Sequence, residues 1–335
     1  MGIPLIDLSG ALQPGAPRSP AVMAVAAQLR QACTGPGFFY VRHHGVPQDV
    51  IARQFALAQQ FFDLPLASKE AISLHHSPAM RGYERLGGQT LDANAHPDLK
   101  ESFYCGLDYA ANHPYVQHRY HSYGSNQWPE ALPELAAQSR TYIAAMRELA
   151  LRLMQLMQLL AVSLDLPEDY FDHTHQSPML TLRLLRYPPH PESADALTFG
   201  AGEHTDWGAI TLLAQDHHGG LEVKLPNGEW VAATPIEGAL VVNLGDMIPR
   251  WTNGLYRSNP HRVRNVHSGG SPRHSIPFFY TPDYEAQVIP LPTCIPAGEL
   301  PRFAPCTVGE HLQAMYRKTY GLGQTTTPGS TEGMA

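Results

Sequence analysis

Three side chains with metal-binding chemistry lie in the second half of the chain: His204, Asp206 and His261. One residue separates His204 from Asp206, and in an extended chain residues i and i+2 point to the same side. Both can therefore face one metal ion, with His261 as a third ligand from further along the chain. Two imidazoles and one carboxylate are the donor set of non-haem Fe(II) sites, which keep positions open for a co-substrate and dioxygen.

A potential anion-binding pair follows the metal motif. Arg273 and Ser275 flank His274 at the start of the run SIPFFY, and period two places them on one face. A guanidinium is a strong partner for a planar carboxylate, and a hydroxyl adds a hydrogen bond. The pattern predicts a carboxylate subsite if the pair is buried. The alternative is a surface arginine in the turn GGSPRHS.

The metal motif alone has low specificity. The chain contains 18 histidines, so a His-x-Asp pair can arise by chance. A zinc hydrolase could use the same three ligands, but it would need a nearby general base, and the chain has no HExxH pattern. A non-catalytic binding protein is the other alternative. It would have no reason to keep both the metal motif and the Arg-x-Ser pair.

The elements that must position these residues differ between the two halves of the chain. Helical patterns cover residues 20–34, 47–73 and 131–163, whereas residues 74–128 predict loops and short strands. From residue 179 onward, short β-branched and aromatic segments alternate with Gly, Asn, Asp and Pro, which is typical of a barrel or double-sheet sandwich. The sequence predicts a mixed α/β (α+β) fold in which N-terminal helices buttress a β core.

Composition narrows the class of partner. The formal net charge is -7 and the isoelectric point about 6.2, which argues against a nucleic-acid partner and suits a small-molecule substrate. We predict no membrane span, because the most apolar stretch is interrupted by polar residues, and no signal peptide. Four cysteines without CxxC spacing predict reduced thiols and a cytoplasmic protein. Oligomeric state is not predicted.

The motifs together resemble the isopenicillin N synthase-like branch of the 2-oxoglutarate/Fe(II) oxygenases. The similar segments are, in chain order, TGPGFFYVRHHGVP, LRLLRYPP, HTDWGAITLL, NGLYRSNPHRV and RHSIPFFY. The resemblance implies a double-stranded β-helix (jelly roll) packed against helices. We expect one oxygenase domain over residues 1–320, with a helix-rich part (1–165), a catalytic core (179–290) and a flexible tail (321–335).

The resemblance also implies roles for individual residues. His204, Asp206 and His261 match the metal ligands, Arg273 and Ser275 match the pair that binds the distal carboxylate of 2-oxoglutarate, and Tyr187 matches a hydroxyl that joins that subsite. The implied cofactors are Fe(II), 2-oxoglutarate and O2, with ascorbate as a candidate reductant. The implied reaction hydroxylates, desaturates or cyclises a small molecule and releases succinate and CO2. An Fe(II) oxidase of the same family that does not consume 2-oxoglutarate is the alternative.

Further residues are candidates for the substrate pocket or its surroundings: Arg183, Trp207, Arg81, Tyr83, Phe103 and Asn243. Arg183 shares a strand face with Tyr187 by period two, which predicts an inward position. For Trp207 and Phe103 the alternative is core packing, and for Arg81 it is ordinary surface charge. Asn243 is expected in a turn, with a role behind the metal ligands. The primary substrate is not predicted.

Overall fold

The computed structural model describes residues 2–11, 19–163, 170–190, 195, 197–264 and 270–320. For residues 151–163 and 318–320 the backbone alone is described. The predicted flexible tail, residues 321–335, lies outside the described residues.

The helices are α1 Pro20–Thr34, α2 Gln48–Phe62, α3 Leu66–Glu70, α4 Pro114–Gln117, α5 Glu134–Ser163, α6 Met247–Trp251 and α7 Val308–Tyr320. Helix α1 shows why they form where the sequence predicts. The Ser19 hydroxyl accepts from the Val22 amide at 3.3 Å, Pro20 occupies the first turn, and the helix ends before Gly35. Its buried residues recur at helical spacing and face α5.

The strands are β1 Leu5–Asp7, β2 Phe38–Arg42, β3 Gly82–Glu84, β4 Glu101–Gly106, β5 Met179–Tyr187, β6 Ala201–His204, β7 Ile210–Gln215, β8 Leu221–Lys224, β9 Trp230–Ala232, β10 Ala239–Leu244, β11 His261–Val263, β12 Arg273–Thr281, β13 Gln287–Val288 and β14 Cys306–Thr307. An eight-stranded major sheet has the order β1-β2-β10-β7-β12-β5-β4-β3, and a four-stranded minor sheet has the order β6-β11-β8-β9. All pairs in these two sheets are antiparallel except β1 with β2.

The N-terminal half contributes more than supporting helices. Strands β1 to β4 extend the major sheet at both edges, so the sheet contains strands from both halves of the chain. The sequence predicts short strands in this half but does not predict that they join the major sheet. Period-two alternation cannot tell which strands pair, because pairing depends on chain segments far apart in sequence.

Two apolar layers flank the major sheet. One lies between this sheet and the helices and includes Leu57, Phe61 and Leu149. The other lies between the two sheets, where Phe38 and Leu185 of the major sheet meet Val223 of the minor sheet. This is the packing expected of a jelly roll, with a polar site at the open end of the inter-sheet layer.

The helices of the described residues are either too short or too polar to cross a membrane.

Candidate active site

The three predicted metal ligands meet at one end of the minor sheet. His204 is the last residue of β6, His261 is the first of β11, and the two are cross-strand partners with ring centroids 4.2 Å apart. Asp206 lies two residues after His204, and its Oδ1 is 3.8 Å from His261 Nε2. One ligand atom from each residue lies within 4.8 Å of the others, and within the described residues this is the one such cluster.

Backbone carbonyls fix which nitrogen of each imidazole is free. His204 Nδ1 lies 2.7 Å from the Gly202 carbonyl oxygen, and His261 Nδ1 lies 3.3 Å from that of Asn259. A carbonyl can only accept, so each Nδ1 carries the proton and donates it. Nε2 is therefore the nitrogen of each ring through which the imidazole can bind a metal.

The Asp206 carboxylate is oriented through its second oxygen. Asp206 Oδ2 accepts from Thr211 Oγ1 at 2.5 Å and from Asn243 Nδ2 at 2.7 Å. Thr211 and Asn243 are themselves register partners in the antiparallel pair β7–β10. Two neighbouring strands of the major sheet therefore hold the carboxylate that stands beside the histidines of the minor sheet.

The electrostatics of the cluster suit a cation. Burial, together with the charge of His261, lowers the pKa of His204 to about 3, so its imidazole is neutral. Burial raises the pKa of Asp206, but the two histidines and the bonds from Thr211 and Asn243 outweigh burial, and the net pKa is lowered. The cluster thus combines two imidazole nitrogens with one anionic oxygen donor.

A small cavity of about 70 Å³ joins this cluster to the predicted anion-binding pair. Arg273 lines it and is 2% exposed, with Nη1 3.4 Å from Ser275 Oγ, Nη2 3.2 Å from Gln215 Oε1, and the guanidinium 4.7 Å from the Tyr187 ring centroid. Its Nε has no acceptor, and no carboxylate among the described residues is ion-paired with it. The guanidinium is therefore a buried cation without an anionic partner in the part of the chain that is described.

Period-two alternation explains what faces this cavity. On β12 the lining residues are Arg273, Ser275, Pro277 and Phe279, and Arg183 and Tyr187 of β5 line the cavity as well.

Arg183 points inward, as its spacing predicts. Its Nη2 lies about 3 Å from acceptors on Glu84, Gln89 and Ser102, and its guanidinium lies 4.4 Å from the Tyr104 ring centroid.

A larger cavity of about 480 Å³ is also lined by His204 and Asp206. Arg81 and Trp207 line it, and the half-buried Trp207 packs edge-on against Tyr316. Two predicted pocket residues lie elsewhere and line neither cavity. Tyr83 donates to Glu101 Oε2 at 2.7 Å, and Phe103 packs against core aromatic side chains.

Known proteins resemble the chain along most of its length. Residues 3–131 match the family model described as non-haem dioxygenase in morphine synthesis N-terminal, and residues 178–282 match that of the 2OG-Fe(II) oxygenase superfamily. The 2-oxoglutarate-Fe(II) type oxidoreductase hxnY of Emericella nidulans is 40% identical over 304 residues, which cover 89% of this chain and 85% of hxnY. The chain belongs to the 2-oxoglutarate–Fe(II) oxygenase family.

Solved structures share the fold of this oxygenase. A full-length Neurospora crassa protein in complex with alpha-KG, another name for 2-oxoglutarate, superposes with a TM-score of 0.81 at 29% identity, covering 94% of this chain and 96% of the Neurospora chain. The complex of the same Neurospora crassa protein with alpha-KG and thymine gives a TM-score of 0.80 at the same identity and coverage. The chain is thus an Fe(II)- and 2-oxoglutarate-dependent oxidoreductase.

Sequence reasoning missed a buried ion pair beside the oxygenase site. Lys100 lines the small cavity and is paired with Asp98, and both side chains are almost fully buried. Asp98 Oδ1 also accepts from the amide of Gly202 at 2.9 Å, and Gly202 lies two residues before His204. Asp98 and Lys100 precede β4 in a loop-rich stretch, and no local pattern indicates that this loop reaches β6.

Proposed function

We propose that the His-Asp-His cluster holds Fe(II) and that the small cavity beside it holds 2-oxoglutarate. The proposed metal ligands are His204, Asp206 and His261, and the proposed co-substrate residues are Arg273, Ser275 and Tyr187. The buried guanidinium of Arg273, which has no described carboxylate partner and shares a cavity with the cluster, carries this proposal. A dicarboxylate with one end at Arg273 and the other at the metal would neutralise both cations.

The donor set fits Fe(II). Two imidazoles and one carboxylate would hold Fe(II) and leave coordination positions open. Bound Fe(II) would supply dioxygen activation coupled to the oxidative decarboxylation of 2-oxoglutarate to succinate and CO2. Arg273 and Ser275 would orient the co-substrate, while Asn243 and Thr211 hold the Asp206 carboxylate in place.

We further propose that the larger cavity binds a small-molecule substrate and that the reaction hydroxylates, desaturates or cyclises this substrate. The cavity shares His204, Asp206 and Arg183 with the small one, so a substrate there lies beside the metal site. The Neurospora crassa protein in complex with alpha-KG and thymine supports a fold that binds a small molecule together with this co-substrate.

We also propose a cytoplasmic location, which the free thiols of all four cysteines support. A single domain is supported by the major sheet, because this sheet contains strands from both halves of the chain.

Anaerobic spectroscopy tests the co-substrate site. Apo-protein is mixed under argon with Fe(II), then with 2-oxoglutarate, and the visible spectrum is recorded. We expect a weak metal-to-ligand charge-transfer band that needs both components, is absent in His204→Ala and is weakened in Arg273→Gln. Arg302→Gln, which changes an exposed arginine, should retain the band.

The other outcomes separate the competing functions. Iron binding without a 2-oxoglutarate band would favour an oxidase that does not consume this co-substrate. Tight Zn²⁺ binding without iron binding would favour a hydrolase, and no metal binding at all would contradict the proposed site.

A further inference from the structure

Strand β6, which ends at the proposed metal ligand His204, is an edge strand of the minor sheet. Among the described strands only β11 pairs with it, and the register of this pair shifts between His261 and Val263. A register shift interrupts the ladder of backbone hydrogen bonds, so β11 alone does not fix the backbone that leads to His204. The position of this backbone therefore depends also on contacts at its other edge.

A segment of the N-terminal half, residues 96–99, runs along that other edge. The Leu99 amide donates to the carbonyl oxygen of Phe199, just before β6, at 2.9 Å. Within β6 the Gly202 amide donates to Asp98 Oδ1, also at 2.9 Å. The segment thus binds the backbone of the edge strand in place of a neighbouring strand, once through its own backbone and once through the Asp98 side chain.

Gly202 makes this close approach possible. A Cβ atom at position 202 would lie 2.8 Å from the Cβ and 2.9 Å from the amide nitrogen of Asp92, and 3.4 Å from Asp98 Oδ1. The first two distances are too short for a Cβ contact, so any side chain here would push β6 and the loop that contains Asp92 and Asp98 apart. A glycine inside a strand often marks such a close backbone approach.

The two oxygens of the Asp98 carboxylate have separate partners. Oδ2 is ion-paired with Lys100 Nζ, and Oδ1 accepts from the Gly202 amide. Both side chains of the ion pair are almost fully buried. The charge of Lys100 offsets the free-energy cost of burying the carboxylate, and the ion pair holds Oδ2 so that Oδ1 stays directed at β6.

Gly202 transmits this restraint to His204. Its carbonyl oxygen accepts from His204 Nδ1 at 2.7 Å. The same glycine is therefore held by Asp98 through its amide and holds the His204 ring through its carbonyl. A hydrogen bond at Nδ1 sets the rotation of an imidazole ring and with it the direction of Nε2, the nitrogen that can bind the metal.

We propose that Asp98 is a positioning residue for the metal centre: through Gly202 it fixes the direction in which His204 presents Nε2, and Lys100 keeps its carboxylate in place. The proposal rests on the proposed function, because it takes His204 as a ligand of Fe(II). Losing a partner that orients a metal ligand usually weakens metal binding by about tenfold to 100-fold. We expect the lower end of this range, because Gly202 stands between Asp98 and the ring.

Two double variants separate the hydrogen bond to Gly202 from the buried charges. Asp98→Asn with Lys100→Met removes both charges but keeps a side-chain oxygen that can accept from the Gly202 amide. Asp98→Leu with Lys100→Met removes the charges and this acceptor at nearly the same side-chain size. Fe(II) is titrated anaerobically into each full-length protein without 2-oxoglutarate, and Co(II), whose visible absorption reports ligand geometry, is titrated in parallel. We expect the Asp98→Leu variant to bind Fe(II) about tenfold more weakly than the Asp98→Asn variant and to differ from it in the Co(II) spectrum.

The outcomes separate this inference from the function on which it rests. Equal Fe(II) affinities of the two double variants would overturn the positioning role of Asp98, and the proposed function would stand because the unmodified protein binds iron. If the unmodified protein binds no Fe(II), the proposed function fails and this inference fails with it.

Circular dichroism shows whether the double variants fold. If the Asp98→Leu variant does not fold, Gly202→Ala decides, because it keeps every polar group but its Cβ would overlap Asp92 and separate the loop from β6. Weaker Fe(II) binding by Gly202→Ala would then support the positioning role, and an unchanged affinity would overturn it.

Discussion

Asn243 Nδ2 donates to Asp206 Oδ2 at 2.7 Å and leaves the other carboxylate oxygen, Oδ1, on the side of His261, 3.8 Å from its Nε2. Thr211 Oγ1 donates to the same Oδ2. One oxygen of the carboxylate is thus taken up by the protein and the other faces the histidines. The major sheet supplies both donors, so it orients a proposed metal ligand that lies beside the histidines at the end of the minor sheet.

Replacing Asn243 with Ala should weaken Fe(II) binding by about tenfold to 100-fold, the usual effect of losing a partner that orients a metal ligand. An anaerobic Fe(II) titration measures the affinity. Asn227→Ala changes an exposed asparagine in a turn and should leave the affinity unchanged. Equal affinities in the two variants would show that Thr211 alone orients Asp206.

Arg273→Lys should raise the dissociation constant of 2-oxoglutarate by about tenfold or more. The change keeps the positive charge but removes the planar guanidinium that matches a carboxylate. Anaerobic titration of the charge-transfer band with 2-oxoglutarate gives this constant. The corresponding change at the exposed Arg302 should not alter it. An unchanged constant in Arg273→Lys would mean that the distal carboxylate binds elsewhere.

Local periodicity was enough to predict which side chains of a strand share the face that lines the small cavity. The i, i+2 rule placed Arg273 with Ser275, and Arg183 with Tyr187, and all four line the small cavity. The helix over residues 20–34 was confirmed to the residue, because Ser19, Pro20 and Gly35 mark its ends in the sequence itself.

Local periodicity could not predict contacts between segments that are far apart in sequence. Thr211 was missed because its role depends on its cross-strand pairing with Asn243, which the sequence does not reveal. Tyr83 was predicted to line the pocket, but its hydroxyl binds Glu101, and neither cavity includes it. The burial of Arg81 likewise follows from strands and loops that meet only in the folded chain. Residue type and spacing thus predict which side chains share a face, whereas register decides which of them reach the two cavities.

Asp98→Asn should destabilise the protein by about 3–5 kcal/mol, because it leaves Lys100 buried without its carboxylate partner. Burial already lowers the pKa of Lys100 to about 8 despite the charge of Asp98. Urea unfolding followed by circular dichroism gives the free energy of unfolding. In contrast, Glu203→Gln breaks the half-exposed pair with Lys224 and should cost about 1 kcal/mol or less.

A double variant separates the lost charge pair from lost packing. Asp98→Asn combined with Lys100→Met removes both charges and should be more stable than Asp98→Asn alone, since no unpaired buried charge remains. A double variant less stable than either single one would indicate that the two side chains stabilise the fold independently.

His175 should make the free energy of unfolding depend on pH. Its imidazole stacks on Tyr280 with centroids 5.0 Å apart, and burial lowers its pKa from 6.5 to about 4. The folded state binds fewer protons than the unfolded state, so the contribution of His175 is complete above the unfolded pKa and is lost as the pH falls toward the folded one. This loss should reach about 3 kcal/mol between about pH 7 and about pH 4.

Urea unfolding at a series of pH values measures this dependence. His175→Gln should weaken the dependence of the free energy of unfolding on pH below the pKa of an unfolded histidine, because glutamine does not titrate. The exposed His173 lies two residues away, and His173→Gln should keep the slope of the unmodified protein. If the two variants have the same slope, the pH dependence arises from carboxylates elsewhere, and the buried imidazole takes up its proton in the folded state as readily as in the unfolded one.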